Sequence, residues 1–221
     1  MVNTFLTYAD YQESARNLNH INHVNQRGRH GARLWKQVLE SHQIITLISD
    51  LHILGKYYNI PLPSDKTKHK EWVKQLKKRY FDEEFIFASR YGILEKITKP
   101  NLPKRKQQTD YLKTTLGKAH HIINLGWCFH PIVYQWLAHL DSLKEYHDAH
   151  LKVWLERGYK TVSVPFGVKN APRPAWTEYA HIHKNHRAAL LNKEQTRGED
   201  PWYINMTEFV NAGEFTEYIY E

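Results

Sequence analysis

Apolar residues recur at three- and four-residue steps between about 32 and 58, where Leu34, Val38, Ile45, Ile48 and Leu51 share one side of RLWKQVLESHQIITLISDLHILGKYY. That spacing predicts an amphipathic helix. Pro61 and Pro63 stop it, because proline lacks the backbone donor and clashes with the preceding turn. A second run follows Pro131: Val133, Trp136, Leu137, Leu140, Leu143, His147, Leu151 and Trp154 read as one face of a long helix that ends at Gly158. A third, about 177–193, brings His183, His186, Arg187 and Leu190 onto successive turns, where neighbours three and four apart share a side. Short extended pieces fit 161–168. With no internal repeat, the pattern predicts an all-α protein, one compact helical domain over residues 1–221.

The stretch 61–118 changes this picture, because it gathers KTKHKEWVKQLKKRY, then IFASRYGILEKI, then PNLPKRKQQTDYLKTT. Trp72 and Leu76 dock the first of these as a helix and leave a Lys/Arg face outward, which either follows a phosphate backbone or is simply solvated. The whole chain carries a formal charge of +8, which favours a polyanionic partner, nucleic acid ahead of a membrane surface. The tail EFVNAGEFTEYIYE reverses that charge and is a candidate to fold back over a basic face or to meet a partner.

Seven Trp and fourteen Tyr among 221 residues argue for a folded chain with one good core. No stretch reaches the roughly 20 apolar residues of a membrane span, and the first residues lack the basic start and apolar run of a signal peptide. The expectation is a soluble, intracellular protein with no membrane association. The single cysteine, Cys128, excludes an internal disulfide and a multi-thiolate zinc site. Its setting in GWCFHP suits a buried structural thiol, with a nucleophilic one as the alternative.

Four features carry candidate chemistry. Val2 is small enough for Met1 to be trimmed, which leaves a free α-amine; such an amine has a pKa near 8, so a useful fraction is neutral and nucleophilic. In RLWKQVLES, Arg33, Lys36, Gln37 and Glu40 line one side of the first helix. Arg33 and Lys36 can grip phosphates while Glu40 stabilises a cation or shuttles a proton; exposed helix ion pairs are the plainer alternative. In HIHKNHRAALLNK, Arg187 and Lys193 suit backbone contacts and His183 or His186 suits hydrogen bonding. The same histidines invite a metal reading, but no carboxylate cluster or cysteine pair completes a ligand set, so none is assigned. In GWCFHP, His130 sits where Pro131 opens a helix, either meeting a phosphate or only capping.

Four stretches, NTFLTYADYQESARNLN, RLWKQVLES, GWCFHPIVYQWLAHLDSLKEYHDAHLKVWLERGY and HKNHRAALLNK, together resemble the pyrimidine-dimer DNA glycosylase family, the endonuclease V type. The resemblance implies an all-helical domain that flips a nucleotide out of the duplex and attacks C1′ of its sugar with the N-terminal α-amine, cleaving the strand from the resulting imine. It implies Val2 as nucleophile and Glu40 as the catalytic carboxylate. Arg33, Lys36, His130, His183, His186, Arg187 and Lys193 become DNA contacts, and Trp35 and Trp127 become candidates to brace the opened duplex. It further implies double-stranded DNA as partner, no cofactor and a monomer.

The chain departs from the family in three places. Residues 20–31, HINHVNQRGRHG, stand as an insertion before the Arg33 motif and set the register of Glu40. Residues 55–124 form a long basic insertion, and Val stands at position 2 where the best-known phage members expose Thr. If Met1 stays, the nucleophile is a Met amine or a lysine. The alternatives are a metal-dependent nuclease built on the histidines, a non-catalytic DNA-binding protein using the basic region, and an enzyme acting on modified pyrimidines.

Overall fold

The first long helix ends before either proline is reached. Asn59 turns left-handed at φ 55°, and the Ile60 N–H closes back on the Gly55 carbonyl at 2.8 Å, a six-to-one closure that satisfies a terminal carbonyl. Pro61 and Pro63 then follow a helix that has already stopped. The computed structural model describes residues 4, 6–18, 33–83, 85–90, 93–98, 107, 110, 114 and 121–197. Val2, the 20–31 insertion and the acidic tail lie outside them, as do the side chains of Arg33 and Lys193. Among the described residues the protein is mainly helical, with α1 (Tyr11–Asn17), α2 (Arg33–Tyr57), α3 (His69–Asp82), α4 (Pro131–Trp136), α5 (Leu140–Glu156) and α6 (Ala180–Arg197). No described helix is long and apolar enough to cross a membrane.

These elements gather into two compact units, Met1–Ile45 with His139–Glu221, and Thr46–Ala138. In the first, Leu34 of α2 joins Ala15 and Leu18, Val153 and Trp154 of α5, and Ala188 to Leu191 of α6 in one buried cluster. The small Ala15, Ala188 and Ala189 are almost fully buried, as expected where backbones approach closely. Trp35 of α2 lies over Trp154 at 5.1 Å, and Trp154 stacks on Tyr159 at 4.2 Å. α5 ends where Gly158 adopts φ 83°, a conformation that costs glycine nothing.

The second unit holds the only sheet among the described residues. Strands β1 (Phe85–Arg90), β2 (Ile93–Thr98) and β3 (His121–Ile122) form an antiparallel sheet in the order β2-β1-β3. Phe85 pairs with Thr98, and Ala88 pairs with both Glu95 and Ile122. Phe87 is buried against the rings of Tyr57, Tyr58 and Tyr80, so the end of α2 and the end of α3 share the apolar side of β1. α3 docks through Trp72 and Leu76 as the pattern predicts. A Cβ on Gly55 would come within 2.8 Å of the Trp72 ring, which is how that indole reaches the Ile60 carbonyl at 2.9 Å.

The second long helix is two helices. The pattern predicts one run from Pro131 to Gly158, but α4 stops at Trp136 and α5 starts at Leu140. The break falls where the chain passes from one unit to the other, and it leaves the Leu137 carbonyl to take a hydrogen bond from His52 at 2.9 Å. The apolar spacing survives because each half faces its own core. Residues 161–168 carry no strand; they form an irregular strap in the first unit, tied to α5 by backbone N–H donations from Phe166 and Gly167 to Asp148.

Candidate active site

One turn separates Lys36 from Glu40 on α2, and the spacing brings Lys36 Nζ to 3.4 Å from Glu40 Oε1. The partners differ in depth. Lys36 keeps 42% of its side chain exposed, against 7% for Glu40. A carboxylate that deep is costly unless charges or donors face it, and the ammonium supplies one from the solvent side. On the same face, Gln37 is fully buried and accepts from the Tyr146 hydroxyl at 2.9 Å. The Tyr146 ring meets Tyr11 edge-on at 5.5 Å, and Tyr11 bonds Ser142 at 2.7 Å; burial pushes the Tyr11 phenol up to about 12. Gln37, one turn before Glu40 on α2, is thus tied to a hydrogen-bonded, aromatic cluster from α1 and α5.

α6 grips the segment that leads to the N-terminus. His186, fully buried, accepts the Leu6 N–H on Nδ1 at 3.0 Å. Arg187 donates to the Thr7 carbonyl and lies over the Tyr8 ring at 5.3 Å. From the other side, the Thr7 N–H donates to Ser14 Oγ at 2.9 Å, and α1 itself is capped by Asp10, which accepts from Glu13 N at 2.8 Å. Thr4 and Leu6 are buried.

His183 is buried and donates from Nε2 to the Thr177 carbonyl at 2.7 Å, fastening α6 to the turn Ala175–Glu178. Burial holds its pKa below the usual histidine value. A neutral ring is the form that such a site favours. His183 and His186 are thus buried and Arg187 half-buried, each bonded within the protein; the sequence offers all three as contacts to DNA. The helical spacing already carries a sign of this: Ile182, His186, Ala189 and Leu190 share the buried side of α6.

His130 belongs to the second unit. It caps α4, its Nδ1 accepting the Ile132 N–H at 3.2 Å with Pro131 in the first turn, and its ring meets Trp127 at 6.3 Å. Accepting on Nδ1 leaves the proton on Nε2, and burial lowers the pKa. Cys128 is buried and burial pushes its thiol up, the opposite of an activated nucleophile. Among the described residues no three His, Cys, Asp or Glu side chains converge as a metal site would require. The bond between Gln37 and Tyr146, and the ring contact of Tyr146 with Tyr11, depend on α2, α1 and α5 meeting, which no single segment announces.

The family model described as pyrimidine dimer DNA glycosylase matches residues 30–163. The match takes in α2 with Lys36 and Glu40, all of the second unit and α5; α1 and α6 lie beyond it. Nothing among curated proteins or solved structures matches the chain.

Proposed function

The chain belongs to the pyrimidine dimer DNA glycosylase family, and from that we propose that it excises UV-dimerised pyrimidines from double-stranded DNA, using the Val2 α-amine freed by removal of Met1. The amine attacks C1′ of the damaged nucleotide. The glycosidic bond breaks, its electron pair leaves with the base, and the base takes up a proton. Opening of the sugar ring gives an imine between the Val2 nitrogen and C1′. Loss of a 2′ proton then expels the 3′ phosphate by β-elimination, and water hydrolyses the imine to return the free amine. This sequence of steps makes the protein an AP lyase as well as a glycosylase, and it calls for no metal or cofactor.

Glu40 is the carboxylate of this reading. Beside Lys36, it stabilises the cationic imine and moves the protons that the two steps need. Arg33, Lys36 and Lys193 meet phosphates, and His130 offers its Nε2–H as a further donor. His186 and Arg187 act by fixing residues 6–8, and His183 by fixing the start of α6. The protein acts as a monomer. The observation that carries the reading is the family match across residues 30–163, within which a nearly buried glutamate sits one turn from a half-exposed lysine.

The test is borohydride trapping on duplex DNA that carries one cyclobutane dimer or one abasic site, with the N-terminal residue established by mass spectrometry. A covalent adduct that disappears on N-terminal acetylation and persists in chelator supports the amine mechanism. Salt-sensitive binding with no adduct on either substrate sinks it and leaves a DNA-binding protein, while chelator-sensitive cleavage leaves a metal-dependent nuclease.

A further inference from the structure

The strap after α5 reverses the pattern a core-facing segment would show. Val162 is 98% exposed and Val164 74%, while the polar residues between and before them, Ser163 and Thr161, turn partly inward and are tied by a bond from Ser163 N–H to Thr161 Oγ1 at 2.9 Å. Loops on soluble proteins usually present polar tips, and an apolar-out, polar-in alternation gains nothing for folding. The strap is nevertheless held firmly. Both oxygens of Asp148 accept its backbone, from Phe166 at 2.9 Å and Gly167 at 2.8 Å, and Glu145 accepts Ala171 N–H at 3.0 Å. A segment held in place with its apolar side chains outward loses little entropy when something covers them.

Its position connects it with Glu40. Phe166 stacks on His42 of α2 at 5.8 Å and meets His147 of α5 at 5.0 Å. His42 stands two residues past Glu40 on the same helix, about 3 Å along its axis but on nearly the opposite side, so the link to Glu40 runs through its ion-pair partner Lys36. Lys36, Leu39 and His42 follow one another at three-residue steps, all at least partly exposed, with Leu39 at 43%. Exposed Lys160 and Lys169 bracket the strap. A small apolar tip between two cations, on a continuous strip leading to the candidate carboxylate, matches a duplex: phosphates on the outside and base faces within.

We propose that residues 161–168 are a wedge that enters the DNA duplex beside the damaged nucleotide, Val162 and Val164 lodging against bases unstacked there while Lys160 and Lys169 hold the flanking phosphates. Apolar side chains inserted at a base step offset the cost of unstacking and bend the duplex toward the protein. The inference rests on the reading of Glu40 and α2 as the working face. It adds a structural element that opens the duplex, separate from the amine that attacks it.

The experiment uses a duplex with one tetrahydrofuran abasic analogue flanked by 2-aminopurine, whose fluorescence rises on unstacking. The full chain raises the signal. The double variant V162S/V164S loses the rise and binds about tenfold more weakly with an unchanged salt dependence, and V162I/V164I keeps both. Lys160→Ala with Lys169→Ala lowers the salt slope by about two. The proposal is overturned if V162S/V164S unstacks like the parent, if the parent produces no rise, or if the double variant loses only binding to phosphatidylcholine–phosphatidylserine vesicles. Borohydride trapping on an abasic duplex separates the two readings: N-terminal acetylation abolishes trapping yet leaves the fluorescence rise, so either result can fail without the other.

Discussion

Glu40 is only 5% exposed, yet Lys36 Nζ, on a side chain that keeps 42% of its surface exposed, lies 3.4 Å from its Oε1. A carboxylate at that depth is costly unless charges or donors face it; in the proposed reading it stands where a cation develops on the substrate. Glu40→Gln keeps the shape and removes the charge. The expected outcome is a fall of about 100-fold or more in the single-turnover rate of adduct formation, with duplex affinity within about threefold of the parent. An unchanged rate would assign the carboxylate to the ion pair alone. The i, i+4 pairing with Lys36 was legible in RLWKQVLES; the depth of Glu40 was not, since burial on α2 depends on which elements pack there, as Tyr146 of α5 packs on Gln37.

α6 is an anchor for the N-terminal segment, and this changes what its basic residues are expected to do. If Arg187 met a phosphate, its removal would weaken binding and lower the salt slope by about one. Bonded to the Thr7 carbonyl and laid over Tyr8, it instead fixes residues that, in the proposed reading, lead to the nucleophile. Arg187→Ala should slow adduct formation about tenfold, since a misplaced nucleophile loses part of its effective concentration, and leave the salt slope unchanged; a slope that falls by one returns Arg187 to the DNA surface. Helix α2 was legible because its apolar period is uninterrupted over 25 residues. The break between α4 and α5 was not, because Leu137 and Leu140 continue the period across it. The hairpin of β1 and β2 did leave a signal, two short aromatic or β-branched runs separated by Tyr91 and Gly92, masked by the lysines and arginines on either side.

At the scale of the whole molecule, buried histidines set the response to pH. His150 is fully buried, and burial lowers its pKa to about 3; its Nδ1–H is held by the Tyr146 carbonyl at 2.7 Å. His147 and His183 are also lowered, each chiefly by burial. A histidine lowered in the folded state binds fewer protons there than in the unfolded chain, so its contribution is intact above the unfolded pKa of about 6.5 and is lost as pH falls toward the folded value. His121 works in the opposite sense. The hydrogen bond to Asp50 at 2.7 Å raises its pKa, so its contribution is present below about 6.5 and is lost as pH rises through the raised value. Burial also raises Asp50; its contribution is present below the usual carboxylate value and is lost as pH rises through the raised one, so it offsets part of the acid limb. The two trends place maximum stability near neutrality and make acid the steeper limb, with His150 alone costing on the order of a few kcal/mol. His150→Phe keeps a ring in the same space and removes the titration. In urea unfolding at pH 7.5 and 4.5, the parent midpoint should drop sharply and the variant midpoint much less. Equal drops would mean that His150 is reached by solvent or protons in the folded state, and that the acid limb belongs to the carboxylates.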